Sequence, residues 1–96
     1  MTVKTRPFDP TRYLDSDEAI AGFLEEAFET DDASFIVHAF GVVARARGMT
    51  QIAKDAGLSR ESLYRALGEN GNPEFSTVLK VAKALGLRLA VVAAEG

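Results

Sequence analysis

Cysteine is absent from the 96-residue chain, and histidine occurs once. Neither a disulfide nor a thiolate metal site is therefore available. The one histidine, His38, has no second histidine and no carboxylate at metal-ligand spacing, so a partly buried polar residue without chemistry is expected there. A glycine-rich phosphate loop is missing, and no nucleophile is set beside a base. The acidic cluster at 25–32 lacks the separated pairing of a glycosidase or metal site. Neither an enzyme nor a cofactor is expected. No apolar run approaches the roughly 18 residues of a membrane span. The opening residues, MTVKTRPFDP, lack the apolar stretch of a secretory signal, which makes the cytoplasm the expected compartment.

The remaining composition, 47% hydrophobic and 26% charged, is ordinary for a globular protein, and the length suits one domain. A net charge of −3 argues at first against a nucleic-acid partner. The distribution changes that. Residues 1–37 hold three Lys/Arg against nine Asp/Glu, whereas residues 38–96 hold eight against five. Such a division suits a protein with two partners, one met by a basic face and the other by an acidic arm. A solvated acidic helix is the alternative for the front half.

The most informative stretch is residues 49–67, MTQIAKDAGLSRESLYRAL. Ile52, Ala53 and Ala56 share one helical face from about Thr50 to Ala56. Gly57 stands where a helix stop favours a residue tolerant of positive φ. Ser59 is the expected N-cap of a second helix, accepting the amide of Ser62. Leu63, Ala66 and Leu67 would point inward, with Leu58 in the turn. Arg60, Glu61, Tyr64 and Arg65 are left on the outer face. A small residue at Ala53 lets the second helix pack close. Together these features make a helix-turn-helix, in which the second helix enters the DNA major groove. A purely structural helix pair would share the apolar spacing.

Around this unit the chain divides into three parts. Residues 1–15 form an extended arm containing two of the three prolines. Phe8, Tyr13 and Leu14 are apolar enough to tack the arm to the body or a partner, and Val3 to Arg6 could add a strand to a sheet edge. Residues 16–86 form the helical domain. Its first helix runs from near Ser16 to Glu29, with Asp15 and Glu18 resembling a capping box and Asp17 suiting the helix dipole. Its inward stripe is Ile20, Phe23, Leu24, Ala27 and Phe28. Thr30-Asp31-Asp32 ends the run and supplies the next cap. The second helix, about Ala33 to Ala46, is apolar on most sides and is expected to be the central core helix, burying Phe35, Ile36, Phe40 and Val43. After the helix pair, GENGNP (68–73) reads as a loop with positive-φ positions. A last helix covers Phe75 to Leu85, with Val78, Val81, Ala82 and Leu85 inward and Gly86 closing it. Residues 87–96 open with LRLAVVA, whose alternation predicts a short β-strand. That strand needs a mate, and its own copy across a two-fold axis fits best, giving a homodimer.

Two runs, FDPTRYLDSDEAIAGFLEEAFETDD and VARARGMTQIAKDAGLSRESLYRALGENGNPEFSTVLKVAKALGLRL, are similar to the probable addiction-module antidote family. Members of this family carry a helix-turn-helix of the phage-repressor (Xre/Cro) type. The likeness spans about residues 8–89 and is most specific in GLSRESLYRAL and GNPEFSTVLKVAKALG. It implies a mainly α, five-helix domain with a lambda-repressor-like helix-turn-helix, followed here by the C-terminal strand. It also implies a type II antitoxin that neutralises a small basic toxin resembling the RelE/HigB ribosome-dependent mRNA interferases and represses the shared promoter. The toxin surface would lie in the acidic N-terminal half. Thr50-Gln51 runs straight into Ile52-Ala53, where the wider phage-repressor pattern has two intervening residues, so a DNA contact from Gln51 is not carried over. Ser59, Arg60, Glu61, Ser62, Tyr64 and Arg65 match without a gap and are the expected DNA-binding residues. Arg60 and Arg65 suit base edges or phosphates, Tyr64 a sugar or thymine methyl, Ser59 a phosphate, and Glu61 either a cytosine amine or only the helix dipole. Arg45, Arg47 and Lys54 are candidate phosphate contacts. A stand-alone repressor without a toxin would use the same residues.

Overall fold

Hydrogen-bonded caps cut the chain into its elements in the computed structural model, which describes residues 14–94. Among the described residues there are five helices: α1 Asp17–Phe28, α2 Ala33–Arg47, α3 Met49–Ala56, α4 Arg60–Ala66 and α5 Phe75–Ala84. Ser16, rather than Asp15, caps α1. Its extended backbone presents the hydroxyl to the amide of Ala19 at 3.1 Å, and Asp17 and Glu18 then fall in the first turn, where the dipole favours them. The α1–α2 turn is stitched by Thr30, whose hydroxyl donates to the Ala27 carbonyl at 2.7 Å and accepts from the Asp32 amide at 3.1 Å. Asp32 then caps α2 by accepting from the Phe35 amide at 3.2 Å, as its position predicts.

The turn between α3 and α4 follows the sequence closely. Gly57 adopts φ 74° and ψ 30°, the left-handed conformation open to glycine at little cost. Its amide bonds the Lys54 carbonyl at 3.1 Å, and the Leu58 amide reaches back to Ala53 at 2.8 Å. This is the paired stop that satisfies a helix's last carbonyls. Ser59 follows as the α4 cap, accepting from the Ser62 amide at 2.9 Å. Gly86 closes α5 with the same pair of bonds, to Lys83 and Ala82.

The core draws on every helix. Ile20, Leu24 and Ala27 come from α1; Ala39, Phe40, Val43 and Ala44 from α2; Met49, Ile52 and Ala53 from α3; Leu63 and Leu67 from α4 and its end; Val81, Ala82 and Leu85 from α5 and its end. Each large buried side chain contributes about 1.5–3 kcal/mol before conformational entropy is subtracted. Leu14 is buried too, whereas the rest of the expected arm, including Val3, Phe8 and Tyr13, lies outside the described residues.

Four expectations are corrected. The element packed against most of the others is α3, which touches α2, α4 and α5, not α2. Phe35 is 46% exposed and His38 is exposed as well, because they occupy the early turns of α2, where its packing partners do not cover the whole circumference. Phe28, expected inward, ends α1 half-exposed with its ring edge-on to Phe40 at 6.2 Å. The predicted strand is not formed: among the described residues there is none. Leu87 and Leu89 pack on the core, while Val91 and Val92 stand in solvent, 96% and 84% exposed. At Leu87 and Leu89 the alternation therefore reports a chain laid one side down on a helical body, with no neighbouring strand among the described residues to hydrogen-bond.

Loop 68–73 also differs from expectation, since its backbone has no positive-φ residue. Gly71 is needed for space: a Cβ there would run into the Ala66 carbonyl oxygen. Gly22, exposed in mid-α1, has nothing within 4 Å of its Cβ position. Two glycine-to-alanine changes should thus have opposite signs. Gly71→Ala should destabilise by about 1–3 kcal/mol through the forced backbone shift. Gly22→Ala should stabilise by about 0.5–1 kcal/mol through helix propensity. Thermal unfolding decides, at about 4–8 °C per kcal/mol for a chain of this size.

Candidate functional site

With Leu63 fully buried and Leu67 beneath it, α4 is held by one side, and Arg60, Glu61, Tyr64 and Arg65 are exposed on the other. Ser62 is half-buried beside its cap. Tyr64 is the centre of this face. The Arg60 guanidinium lies 5.5 Å from its ring centroid and also donates to its hydroxyl at 3.4 Å. The Arg45 guanidinium, from the last turn of α2, lies 6.0 Å from the same ring. Cation–π contacts at exposed sites are worth about 0.5–1 kcal/mol each, enough to bias the rotamers of long side chains.

Arg45 reaches Tyr64 because α2 passes close to the end of α4. Gly41, buried one turn before Arg45, makes that approach possible. A Cβ at position 41 would sit 3.0 Å from the Leu67 carbonyl oxygen and 2.9 Å from Arg45 Nη1. The sequence reading passed over Gly41. A glycine inside an otherwise apolar helical run was the signal that a neighbouring backbone comes near.

The other expected residues divide. Lys54 is exposed in the last turn of α3, and Arg65 is exposed in the last turn of α4. Arg47 is drawn elsewhere: its Nη2 bonds Asp17 Oδ1 at 2.6 Å, the one ion pair among the described residues, which ties the end of α2 to the start of α1. Arg45, Arg60, Arg65 and Lys54 have no carboxylate partner there. The Ser59 hydroxyl is engaged within the cap, accepting from the Ser62 amide and donating to the Ser62 hydroxyl at 2.9 Å. Gln51 bonds Asp55 one turn along α3 at 2.9 Å. The arrangement is an aromatic-centred surface on a short helix, with an excess of cations over the one carboxylate of Glu61. No helix among the described residues is long and apolar enough to cross a membrane.

Comparison with known proteins places this surface in context. The sequence profile described as "Probable addiction module antidote protein" matches residues 4–93. A protein of Haemophilus influenzae (strain Rd), named only as an uncharacterized protein, is 50% identical over 91 residues, covering 95% of this chain and 94% of its own. No solved structure matches.

The Arg47–Asp17 pair is partly exposed, with side-chain exposures of 33% and 65%. Exposed pairs are worth only about 0.2–1 kcal/mol. Asp17→Asn should therefore lower stability by no more than about 1 kcal/mol at low salt. The deficit should shrink as salt screens the pair. Urea unfolding at two ionic strengths measures this.

Proposed function

The chain belongs to the probable addiction module antidote family, and from that premise we propose that it is the antitoxin of a type II toxin–antitoxin module. It neutralises a small basic toxin of RelE/HigB type and represses its own promoter through a lambda-repressor-like helix-turn-helix of the Xre/Cro class formed by α3 and α4. Family membership supports an antitoxin role and a toxin partner in general. The observation that carries the DNA reading is the outward face of α4, where Arg60, Tyr64 and Arg65 stand free of the core beside Arg45.

In this reading α4 enters the major groove of the operator. Arg65 and Arg60 take base edges or the flanking phosphates, guanidinium being able to bridge guanine O6 and N7. Tyr64 lies against a sugar or a thymine methyl, and Glu61 accepts from a cytosine amine or supports the helix dipole. Ser59 and Ser62, joined to each other at the helix start, offer hydroxyls to a phosphate there. Arg45 and Lys54 meet phosphates. Arg47 joins them only by leaving Asp17, so it ranks below them. Two such helices are needed for two half-sites, and the exposed segment around Val91 and Val92 is the proposed contact across the two-fold axis of a homodimer. The protein works in the cytoplasm as a binding module and not as an enzyme.

Arg65→Ala should weaken binding to the protein's own upstream DNA by about 1–3 kcal/mol and relax discrimination at one base pair, measured by gel shift and footprinting. An unchanged footprint and affinity would remove Arg65 from the interface. The wild-type affinity should fall steeply with salt as phosphate counterions are released. Light scattering should give the mass of a dimer, and a monomer at operator-binding concentrations would refute the two-fold arrangement.

A further inference from the structure

At the opposite end of α2 from Arg45 lies an apolar groove between the α1–α2 turn, loop 68–73 and α5. Phe28, Ile36, Val37, Pro73, Phe75 and Val78 line it. Its volume is about 230 Å³, below the roughly 300–1,000 Å³ of small-molecule sites. It suits an anchoring side chain better than a whole ligand. Its walls include aromatic rings left in water: Phe75 is 69% exposed and Phe28 42%. Aromatic side chains grouped in this way are the usual centre of a protein–protein contact.

The rim is acidic. Glu29 follows Phe28, Asp31 and Asp32 precede the lining residue Ala33, and Glu74 stands between Pro73 and Phe75. Residues 25–44 hold five Asp/Glu and no Lys or Arg. Arg88, beside Leu89, and Lys80, beside Val81, are the basic residues next to a lining position along the chain, so carboxylates outnumber cations there. We infer that this groove is the docking surface for the toxin, through a segment with one apolar anchor flanked by Lys or Arg. The inference rests on the antitoxin reading and gives it a surface. A toxin acting on RNA must carry cationic charge to meet phosphates, and that charge complements this rim. The apolar centre supplies the affinity, and the rim steers the approach and fixes the register.

The test uses the full chain and the purified product of the reading frame beside its gene. Phe75→Glu puts a charge into the groove at the first residue of α5, where the helix dipole favours an acid. Glu29→Lys reverses a rim charge at the end of α1, where the dipole favours cations. Both variants should keep the wild-type circular dichroism and operator affinity. Phe75→Glu should weaken toxin binding at least tenfold. The rim reversal should slow association, most strongly at low salt. If the wild-type chain binds the neighbouring product and both variants bind it equally well, the docking surface is wrong while the antitoxin reading stands. If the wild-type chain does not bind it, the antitoxin reading falls, and this inference with it. Conversion of a toxin-free dimer to a monomer by Phe75→Glu would assign the groove to a second copy and overturn the proposal. Loss of operator binding in the folded variants would do the same by assigning it to DNA.

Discussion

The stop at Gly57 is the constraint on which the rest of the molecule depends. An eight-residue helix such as α3 has little stability alone, since isolated helices shorter than about 12–15 residues are marginal in water. Its contacts with α2, α4 and α5 hold it, and the contact with α4 exists because the chain reverses at one left-handed residue. Ala53 serves the turn twice. Its carbonyl takes the Leu58 amide, and its buried methyl is small enough for α4 to come close. Leu63 and Leu67 then set the rotation of α4, so its polar residues face outward by default.

A second close approach turns that outward face into a site. Gly41 brings the end of α2 against the end of α4, and Arg45 and Arg60 meet over Tyr64. Holding two long side chains against a ring before any partner arrives removes part of the ordering cost of binding, about 0.5–1.5 kcal/mol per side chain. Arg45 and Arg47, two residues apart on one helix, serve different ends. One supports the exposed face, and the other fastens α1 to the body through Asp17.

What was legible in the sequence was local. Gly57, Ser59 and Asp32 act within a few residues of themselves, so their types and spacing were enough to place a stop and two caps. The α1 cap was missed by one position because Asp15 and Ser16 are both good capping residues, and only the backbone conformation chooses between them. Phe35 and His38 were misjudged for a different reason. An apolar helix does not reveal how far along its length its neighbours extend. Period-two alternation records one covered side only at Leu87 and Leu89, where the cover is a helical body and not a second strand; at Val91 the pattern continues without any cover. The Arg45–Tyr64 contact, the Arg47–Asp17 pair and the crowding of Gly71 by Ala66 join residues through the tertiary fold. No local pattern encodes them.

The charge division also takes on a spatial meaning. A chain of net charge −3 can approach a polyanion only if most of its acidic groups lie beyond the reach of its basic face. Ile36, in the acidic and apolar half, precedes Arg45 by nine residues, about 14 Å along the axis of α2 and about half a turn around it. The Debye length at physiological salt is about 8 Å, so charges that far apart and open to solvent are largely screened from one another. The field met by a partner at the α4 face is therefore set locally, by Arg45, Arg60 and Arg65 against Glu61, and not by the total. The same screening leaves the carboxylates near Phe28 free to attract a cation-bearing partner. One helix can in this way keep two surfaces of opposite sign from cancelling, which the net charge alone would have seemed to forbid.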